Sequence, residues 1–165
     1  MAWAWVRPAD RRVLEGRPLL DLGTGDAQTL SALVEPRGLV VGVDRSSEAL
    51  AAGKGRGFRL VGAEAHAVPF AAGTFDTVLA GDLFHHVDDE RLSEVLAEVR
   101  RILRDGGRLV AWWYEVSGRQ SPDAPRYPRL FEEVARAARG LRVDRLELEM
   151  TLEPAPPTVG LVAQR

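Results

Sequence analysis

Two carboxylates and two closely spaced glycines lie between residues 19 and 27, in the order Leu-Leu-Asp-Leu-Gly-Thr-Gly-Asp-Ala. Gly23 and Gly25 lack a Cβ atom, so the backbone there can turn sharply and approach a ligand closely. The apolar run before them predicts a strand, and a helix N-terminus after them would offer unpaired N–H groups. Asp21 adds a negative charge at the carboxyl end of that strand. This combination predicts a binding loop for a nucleotide-like cofactor.

A dinucleotide-binding loop is the alternative interpretation of these glycines. It would have the pattern Gly-x-Gly-x-x-Gly, with a pyrophosphate resting on the helix N-terminus. Gln28 occupies the position of the last glycine. The carboxylates of Asp21 and Asp26 would also repel a pyrophosphate, whereas they suit a ligand that carries an ammonium group and hydroxyls.

The loop resembles motif I of the class I S-adenosylmethionine-dependent methyltransferases, acidic-x-Gly-x-Gly-x-Gly. Asp21, Gly23 and Gly25 match that motif, and Ala27 stands at its third glycine. The wider resemblance is to the methyltransferase type 11 group, which includes the ubiquinone and menaquinone C-methyltransferases. It implies S-adenosyl-L-methionine as methyl donor, S-adenosyl-L-homocysteine as product, and cofactor contacts from Asp21, Gly23 and Gly25.

Two further carboxylates follow apolar runs. Asp44 comes directly after Val-Val-Gly-Val, where its carboxylate could accept hydrogen bonds from both hydroxyls of a ribose. The alternative is that Asp44 caps the helix that starts near Ser46. The resemblance implies the ribose role for Asp44, and alignment on Pro69-Phe70 implies that Glu64 contacts the adenine amino group and the backbone N–H of Ala65 the ring. The alternative for Glu64 is a solvated loop carboxylate.

Residues 81 to 87, Gly-Asp-Leu-Phe-His-His-Val, are similar to the segment that in this family lies along the methionine part of the cofactor and faces the acceptor. The resemblance therefore implies a cofactor contact for Asp82. His85 or His86 could serve as a catalytic base, because an imidazole titrates near neutral pH; the alternative is that at least one of them packs structurally. No metal site is expected, since adjacent histidines point apart and no further ligand cluster accompanies them.

The elements that must position these residues are short apolar runs alternating with segments of helical periodicity, a pattern typical of a parallel sheet with helices on both faces. The predicted strands span residues 18–22, 39–43, 57–61, 76–80, 108–113, 141–150 and 158–164. The last two would form an antiparallel hairpin through the Pro154–Pro157 turn. The expected fold is therefore α/β, a Rossmann-like seven-stranded, mostly parallel sheet with an antiparallel last strand.

Two helices are the clearest in the pattern. Apolar residues recur at spacings of three and four from Leu92 to Leu103, and Asp105-Gly106-Gly107 is expected to stop that helix. A second helix is predicted over residues 127–139. In the strand at 108–113, Trp112 and Trp113 must face opposite sides of the sheet. Their aromatic surface could form a wall for an apolar acceptor or fill the core.

Composition predicts one domain over residues 1–165, with a short N-terminal segment at 1–17 and a loop at 117–128. The chain has no cysteine, which excludes disulfides, thiolate nucleophiles and cysteine-bound metals. No membrane-spanning run or signal peptide is recognised, so a cytoplasmic protein is expected. The net charge of −2 gives no general attraction to nucleic acid.

A group of arginines between residues 119 and 145 could form a basic face for RNA, but acidic residues interspersed with them favour a salt-bridged, solvated surface. These arginines are Arg119, Arg126, Arg129, Arg136, Arg139, Arg142 and Arg145. We therefore expect a methyltransferase with a small-molecule acceptor. An RNA- or protein-directed enzyme and a non-catalytic cofactor-binding subunit stay open. The short N-terminal segment leaves the acceptor side with little cover, so a homodimer is also an expectation.

Overall fold

The computed structural model of the protein describes residues 6–114, 131–150 and 158–165. Within them, four α-helices and nine strands are seen. The strands are β1 (Val6–Pro8), β2 (Leu19–Leu22), β3 (Val40–Asp44), β4 (Arg59–Gly62), β5 (Phe75–Gly81), β6 (Leu103–Tyr114), β7 (Arg142–Arg145), β8 (Leu148–Met150) and β9 (Thr158–Gln164). The helices are α1 (Gln28–Leu33), α2 (Ser47–Gly53), α3 (Asp89–Ile102) and α4 (Phe131–Ala137). Short 3₁₀ helices span Arg11–Leu14 and Phe84–His86.

The main sheet has seven strands in the order β4-β3-β2-β5-β6-β9-β7. Strands β2 to β6 run parallel to one another, and β9 runs antiparallel to both β6 and β7. The predicted mostly parallel sheet with an antiparallel last strand is therefore confirmed. The carboxyl ends of β4, β3, β2 and β5 adjoin at one edge of this sheet, which is where open α/β sheets bind ligands.

Helices cover both faces of the sheet, as predicted. One apolar cluster joins the sheet to α3 and α4, and a second cluster on the opposite face joins it to α1. All four residues of β2 are buried, since a parallel strand covered on both faces excludes water from each side chain. Each buried leucine contributes about 1.5–3 kcal/mol to folding. The buried central strands therefore hold the loops at their carboxyl ends in fixed positions.

Helix α3 spans Asp89–Ile102 and ends earlier than predicted. Asp88 caps it, with Oδ1 accepting a 2.8 Å hydrogen bond from the backbone N–H of Arg91. The helix ends at Ile102, before the Asp105-Gly106-Gly107 stop expected from the sequence. Leu103 instead begins β6, which pairs with β5 through Phe75. The predicted start of this strand at residue 108 was wrong because Leu103 is fully buried as a strand residue.

The predicted strand at 141–150 is two strands. β7 pairs with β9 in the main sheet, which confirms the antiparallel pairing, whereas β8 leaves the sheet and pairs with β1. The N-terminal segment, predicted to precede the first strand, thus itself contains a strand. Val6 pairs with Met150, a partner so distant in sequence that no local pattern could indicate it.

Several predictions lie wholly or partly outside the described residues. These are the loop at 117–128, the start of the helix predicted at 127–139, the Pro154–Pro157 turn and residues 1–5 of the N-terminal segment. The described part of the predicted helix is α4.

Candidate functional site

The glycine loop between β2 and α1 is held by backbone hydrogen bonds to the end of β3. The N–H groups of Gly23 and Thr24 both donate to the carbonyl oxygen of Val43, at 2.8 and 2.9 Å. Gly23, Gly25 and Ala27 have φ angles of 78°, 55° and 58°. All three motif positions are therefore left-handed, including the third, where an alanine replaces the glycine.

Gly23 is also a point of close approach. A Cβ atom placed there would lie 2.9 Å from Cδ1 of Leu83, in the segment that follows β5. At Gly25, in contrast, no atom lies within 4 Å of an added Cβ. Backbone conformation therefore favours glycine at both positions, and at the first an added Cβ would also displace the end of the Leu83 side chain.

Asp44 holds the loop from the neighbouring strand. Its Oδ2 accepts a 2.9 Å hydrogen bond from the N–H of Gly25, and its Oδ1 accepts one of 2.8 Å from Ser46. The N-cap of α2 is Ser46 itself, whose Oγ accepts from the N–H of Ala49. The capping role considered for Asp44 therefore belongs to Ser46. Because each carboxylate oxygen can accept more than one hydrogen bond, Asp44 keeps acceptor sites for a ligand.

A cavity of about 430 Å³ crosses the carboxyl ends of four strands. Its lining residues are Leu22, Gly23, Val43, Asp44, Arg45, Ala63, Glu64, Ala65, Asp82, Leu83, His86 and Val87. The structure thus brings together six of the nine predicted site residues: Gly23, Asp44, Glu64, Ala65, Asp82 and His86. The other three, Asp21, Gly25 and His85, do not line it. Gly25 still contacts the site through its hydrogen bond to Asp44.

Asp21 is buried at the end of β2, with 5% of its surface exposed. Burial raises the pKa of its carboxyl to about 7, and the charge of Asp44 acts in the same direction. A cation brought close to Asp21 would lower that pKa again. Asp21 therefore supplies a potential negative charge from beneath the glycine loop rather than a direct lining group.

Asp82 lies at the β5 end of the cavity. Its φ angle is 55°, which is uncommon for a residue other than glycine. Its N–H donates a 2.8 Å hydrogen bond to the carbonyl oxygen of Trp112 on β6, which holds this conformation. Burial raises the pKa of the Asp82 carboxyl to about 7.

The two adjacent histidines differ in their surroundings. His85 is 5% exposed, and burial lowers its pKa to about 4, with the neighbouring His86 adding to the effect. A buried imidazole of this kind is neutral and lies away from the cavity. His86 lines the cavity, so it is the one of the pair that a ligand can reach.

A second cavity of about 450 Å³ adjoins the first at its β4 end. The two share five lining residues: Arg45, Glu64, Ala65, His86 and Val87. His66 and Arg91 extend the second cavity, with Nη1 of Arg91 2.6 Å from Nε2 of His66. Sequence reasoning missed both residues, and also Arg45, whose position directly after Asp44 was the available signal.

The tryptophans of β6 alternate as predicted. Trp113 packs on the α3 side, with its ring centroid 5.5 Å from that of Phe84, and Trp112 packs on the α1 side. Both are fully buried. They therefore fill the two halves of the core and do not form a wall for an acceptor.

The described arginines near the C-terminus include two in ion pairs. Arg145 is 3.1 Å from Glu132 and lies over the ring of Phe131, and Arg142 is 4.0 Å from Asp144. These pairs agree with a salt-bridged surface. Arg119, Arg126 and Arg129 lie outside the described residues.

Two negative findings concern the described residues only. Within them, no group of three or more histidine, cysteine or acidic side chains is arranged to hold a metal ion. No helix seen there has the length and apolar character needed to cross a bilayer.

Comparison with known proteins places this site in context. A family model described as a methyltransferase domain matches residues 20–111. A ubiquinone/menaquinone biosynthesis C-methyltransferase of Desulfotalea psychrophila is 43% identical over 98 residues, covering 56% of this chain and 39% of that protein. This chain spans less than half the length of the curated relatives that it first matches.

Solved structures share the fold. A TehB-like SAM-dependent methyltransferase from Corynebacterium glutamicum superposes with a TM-score of 0.71 at 19% identity, covering 94% of this chain and 86% of that one. A phosphoethanolamine N-methyltransferase of Haemonchus contortus, solved in complex with S-adenosyl-L-methionine, gives a TM-score of 0.61 at 24% identity and covers 77% and 34%. At these identities the likeness extends to the fold alone.

Proposed function

Because the chain belongs to the methyltransferase domain family of class I, S-adenosylmethionine-dependent enzymes, we propose that it transfers a methyl group from S-adenosyl-L-methionine to a small-molecule acceptor. S-adenosyl-L-homocysteine is then the second product. Since the chain spans less than half the length of its curated relatives, the proposal concerns the activity of this domain.

The observation that carries the proposal is the hydrogen bond between Gly25 and Asp44. It fixes a carboxylate beside a glycine loop at the centre of the cavity. A ribose diol fits the acceptor sites that Asp44 retains, and Gly23 lets the ligand approach the backbone. Asp44 and the glycine loop are held in place before any ligand binds, so little ordering is needed on binding.

The strand order supports a proposal for the rest of the cofactor. Glu64 and Ala65, at the β4 end, would contact the adenine amino group and ring. Gly23 and the buried carboxyl of Asp21, at the β2 end, would adjoin the methionine part, and Asp82 lies beyond them at the β5 end. Gly25 acts through Asp44. The cofactor supplies an electrophilic methyl group on a sulfonium, and the residues of this chain bind, orient and keep water from the reacting atoms.

The acceptor class has weaker support. The name of the Desulfotalea psychrophila relative points to a quinone precursor for that protein, which favours a small molecule here. A nucleic-acid acceptor has less support, because Arg142 and Arg145 are paired with acidic side chains. His86, which lines the cavity, stays the histidine to test as a base.

Calorimetric titration of the purified, ligand-free chain with S-adenosyl-L-methionine, S-adenosyl-L-homocysteine and NAD tests the proposal. We expect the first two to bind with Kd values of about 1–100 µM and NAD not to bind. Binding of NAD alone would contradict the assignment. Release of S-adenosyl-L-homocysteine is then followed with phenols, quinones and amines as acceptors.

The cytoplasmic location and the homodimer stay predictions. Fractionation of cells tests the first. Light scattering across a concentration series, with and without S-adenosyl-L-homocysteine, tests the second.

A further inference from the structure

Asp82 lies at the β5 end of the cavity, across from Glu64 at the β4 end. The strand order places Glu64 after β4, Asp44 after β3, Gly23 after β2 and Asp82 after β5. In the proposed orientation, adenine lies by Glu64 and ribose by Asp44. The sulfonium with its methyl group and the amino-acid part of the cofactor would therefore lie on the side of Gly23 and Asp82, away from the adenine.

The backbone of Asp82 is held in place by its neighbours. Its left-handed backbone is fixed through the hydrogen bond to Trp112, whose indole packs against Gly81. In the described part of the chain, no hydrogen bond or ion pair is made by the Asp82 side chain. Left-handed conformations of residues other than glycine cost free energy and concentrate at functional sites.

The charges around the cavity favour a cationic acceptor. Among the described lining residues, three carboxylates face one guanidinium: Asp44, Glu64 and Asp82 against Arg45. His86 is the other titratable lining group, and Asp21 lies beneath the loop. S-adenosyl-L-methionine carries an ammonium, a sulfonium and a carboxylate, so its single net positive charge leaves the lining negative. A carboxylate or phosphate acceptor would be repelled, whereas an ammonium would be attracted.

We infer that the methyl acceptor is a primary or secondary amine and that Asp82 is the catalytic residue that pairs with its ammonium form and takes its proton. This inference rests on the proposed methyl transfer. A proton passes from the ammonium nitrogen to the Asp82 carboxylate, which frees the nitrogen lone pair. That lone pair forms the N–CH₃ bond as the S–CH₃ bond breaks, and the electrons of the broken bond stay on sulfur. Asp82 then releases the proton to water.

Burial raises the pKa of Asp82 to about 7 in the free protein, close to the working pH at which a proton acceptor is most effective, and a paired ammonium would lower it. Pairing with an ammonium requires the ionised carboxyl. Binding of an amine should therefore strengthen as the pH rises through about 7, provided that the amine itself stays protonated.

The competing role for Asp82 is a pair with the ammonium of the cofactor. S-adenosyl-L-homocysteine carries that same ammonium, so its affinity separates the two roles. If Asp82 serves the acceptor, Asp82→Asn leaves the Kd for S-adenosyl-L-homocysteine within about twofold of the parent. If it serves the cofactor, the same variant weakens that binding by about tenfold or more.

The experiment uses the full chain saturated with S-adenosyl-L-homocysteine, titrated calorimetrically with benzylamine, benzyl alcohol and benzoate. We expect benzylamine to bind most tightly, and Asp82→Asn to weaken it by about tenfold or more. Glu48→Gln is the matched control, since it removes one carboxylate from an exposed position on α2 outside the cavity. It should leave all three titrations unchanged.

Turnover gives a second readout. With amines as acceptors, Asp82→Asn should lower kcat and remove the rise in rate through pH 7, whereas His86→Asn should keep that rise. Three results would each overturn the inference. They are tighter binding of benzoate or benzyl alcohol than of benzylamine, loss of S-adenosyl-L-homocysteine binding in Asp82→Asn, and loss of the pH dependence in His86→Asn alone. Failure of the parent to bind S-adenosyl-L-homocysteine would instead overturn the proposed function itself.

Discussion

The backbone N–H of Gly25 lies 2.9 Å from Oδ2 of Asp44, across the boundary between β2 and β3. This hydrogen bond joins the glycine loop to the carboxylate that would bind the ribose. The loop and the carboxylate therefore form one unit, and a substitution at either residue should change the position of both.

Replacement of Asp44 by alanine should weaken cofactor binding. The variant loses a carboxylate that accepts from Gly25 and Ser46, together with its bonds to the ligand. Hydrogen bonds to a charged group contribute about 1.5–3 kcal/mol, so we expect the Kd for S-adenosyl-L-homocysteine to rise by about 10- to 100-fold. Calorimetry measures this directly. Asp44→Asn keeps one acceptor oxygen and should lose less; equal Kd values for parent and Asp44→Ala would rule out the ribose role.

The two glycines of the loop should differ in their tolerance of alanine. Both have positive φ, which costs a residue with a Cβ about 1–2 kcal/mol. At Gly23 the added Cβ also meets Leu83 at 2.9 Å, whereas at Gly25 it meets nothing within 4 Å. Because Leu83 must turn its Cδ1 away, Gly23→Ala should lower the free energy of unfolding by about 0.5–1.5 kcal/mol more than Gly25→Ala. Urea titrations of both variants give the difference, and equal midpoints would contradict the close approach to Leu83.

Gly81 lies next to Asp82 and should also resist a side chain. Its added Cβ would come within 2.7 Å of Cζ2 of Trp112, a fully buried ring that cannot easily move. Gly81→Ala should lower the free energy of unfolding by about 1–3 kcal/mol. Gly62→Ala is the matched control in β4, because its Cβ would make only ordinary contact with Leu50 at 3.7 Å. If both variants unfold at the same urea concentration, Trp112 has room to move and the packing argument fails.

The central fold could be predicted from the sequence because its signals are local. Strands β2 to β5 are apolar runs whose ends were predicted within two residues, and Asp44 and Glu64 were found because each follows such a run. The pairing of β1 with β8 could not be predicted, since it joins Val6 to Met150 and depends on how the intervening chain folds.

The sequence indicated six of the residues that line the cavity, but not how deeply each candidate side chain is buried. The sequence cannot distinguish His85, which is buried, from His86, which lines the cavity, because the short 3₁₀ helix that contains both has no periodic signal. The left-handed conformations of Ala27 and Asp82 were equally hidden, since neither residue type requires one. The same burial that escaped prediction sets the pKa values of Asp21 and Asp82.

Asp21 should make the stability of the free protein depend on pH. Its ordinary pKa is 3.8, and burial raises the folded-state pKa to about 7. Between these values the folded state holds more protons than the unfolded state, so this group destabilises the protein as the pH rises through that window. The cost is fully present above pH 7 and absent below about pH 4.

Replacement of Asp21 by asparagine removes the charge and keeps the shape. We expect the variant to gain stability relative to the parent at pH 8, by more than about 1 kcal/mol, since one pKa unit corresponds to about 1.4 kcal/mol. The gain should shrink steadily as the pH falls towards 4. Urea titrations at pH 4, 6 and 8 measure it, with Asp105→Asn as the control because that carboxylate is 96% exposed. A difference that stays constant across this range would mean that Asp21 is not protonated in the folded protein. Asp21→Asn should also bind the cofactor more weakly than the parent does. The charge that destabilises the free protein is the one that a bound ammonium would compensate.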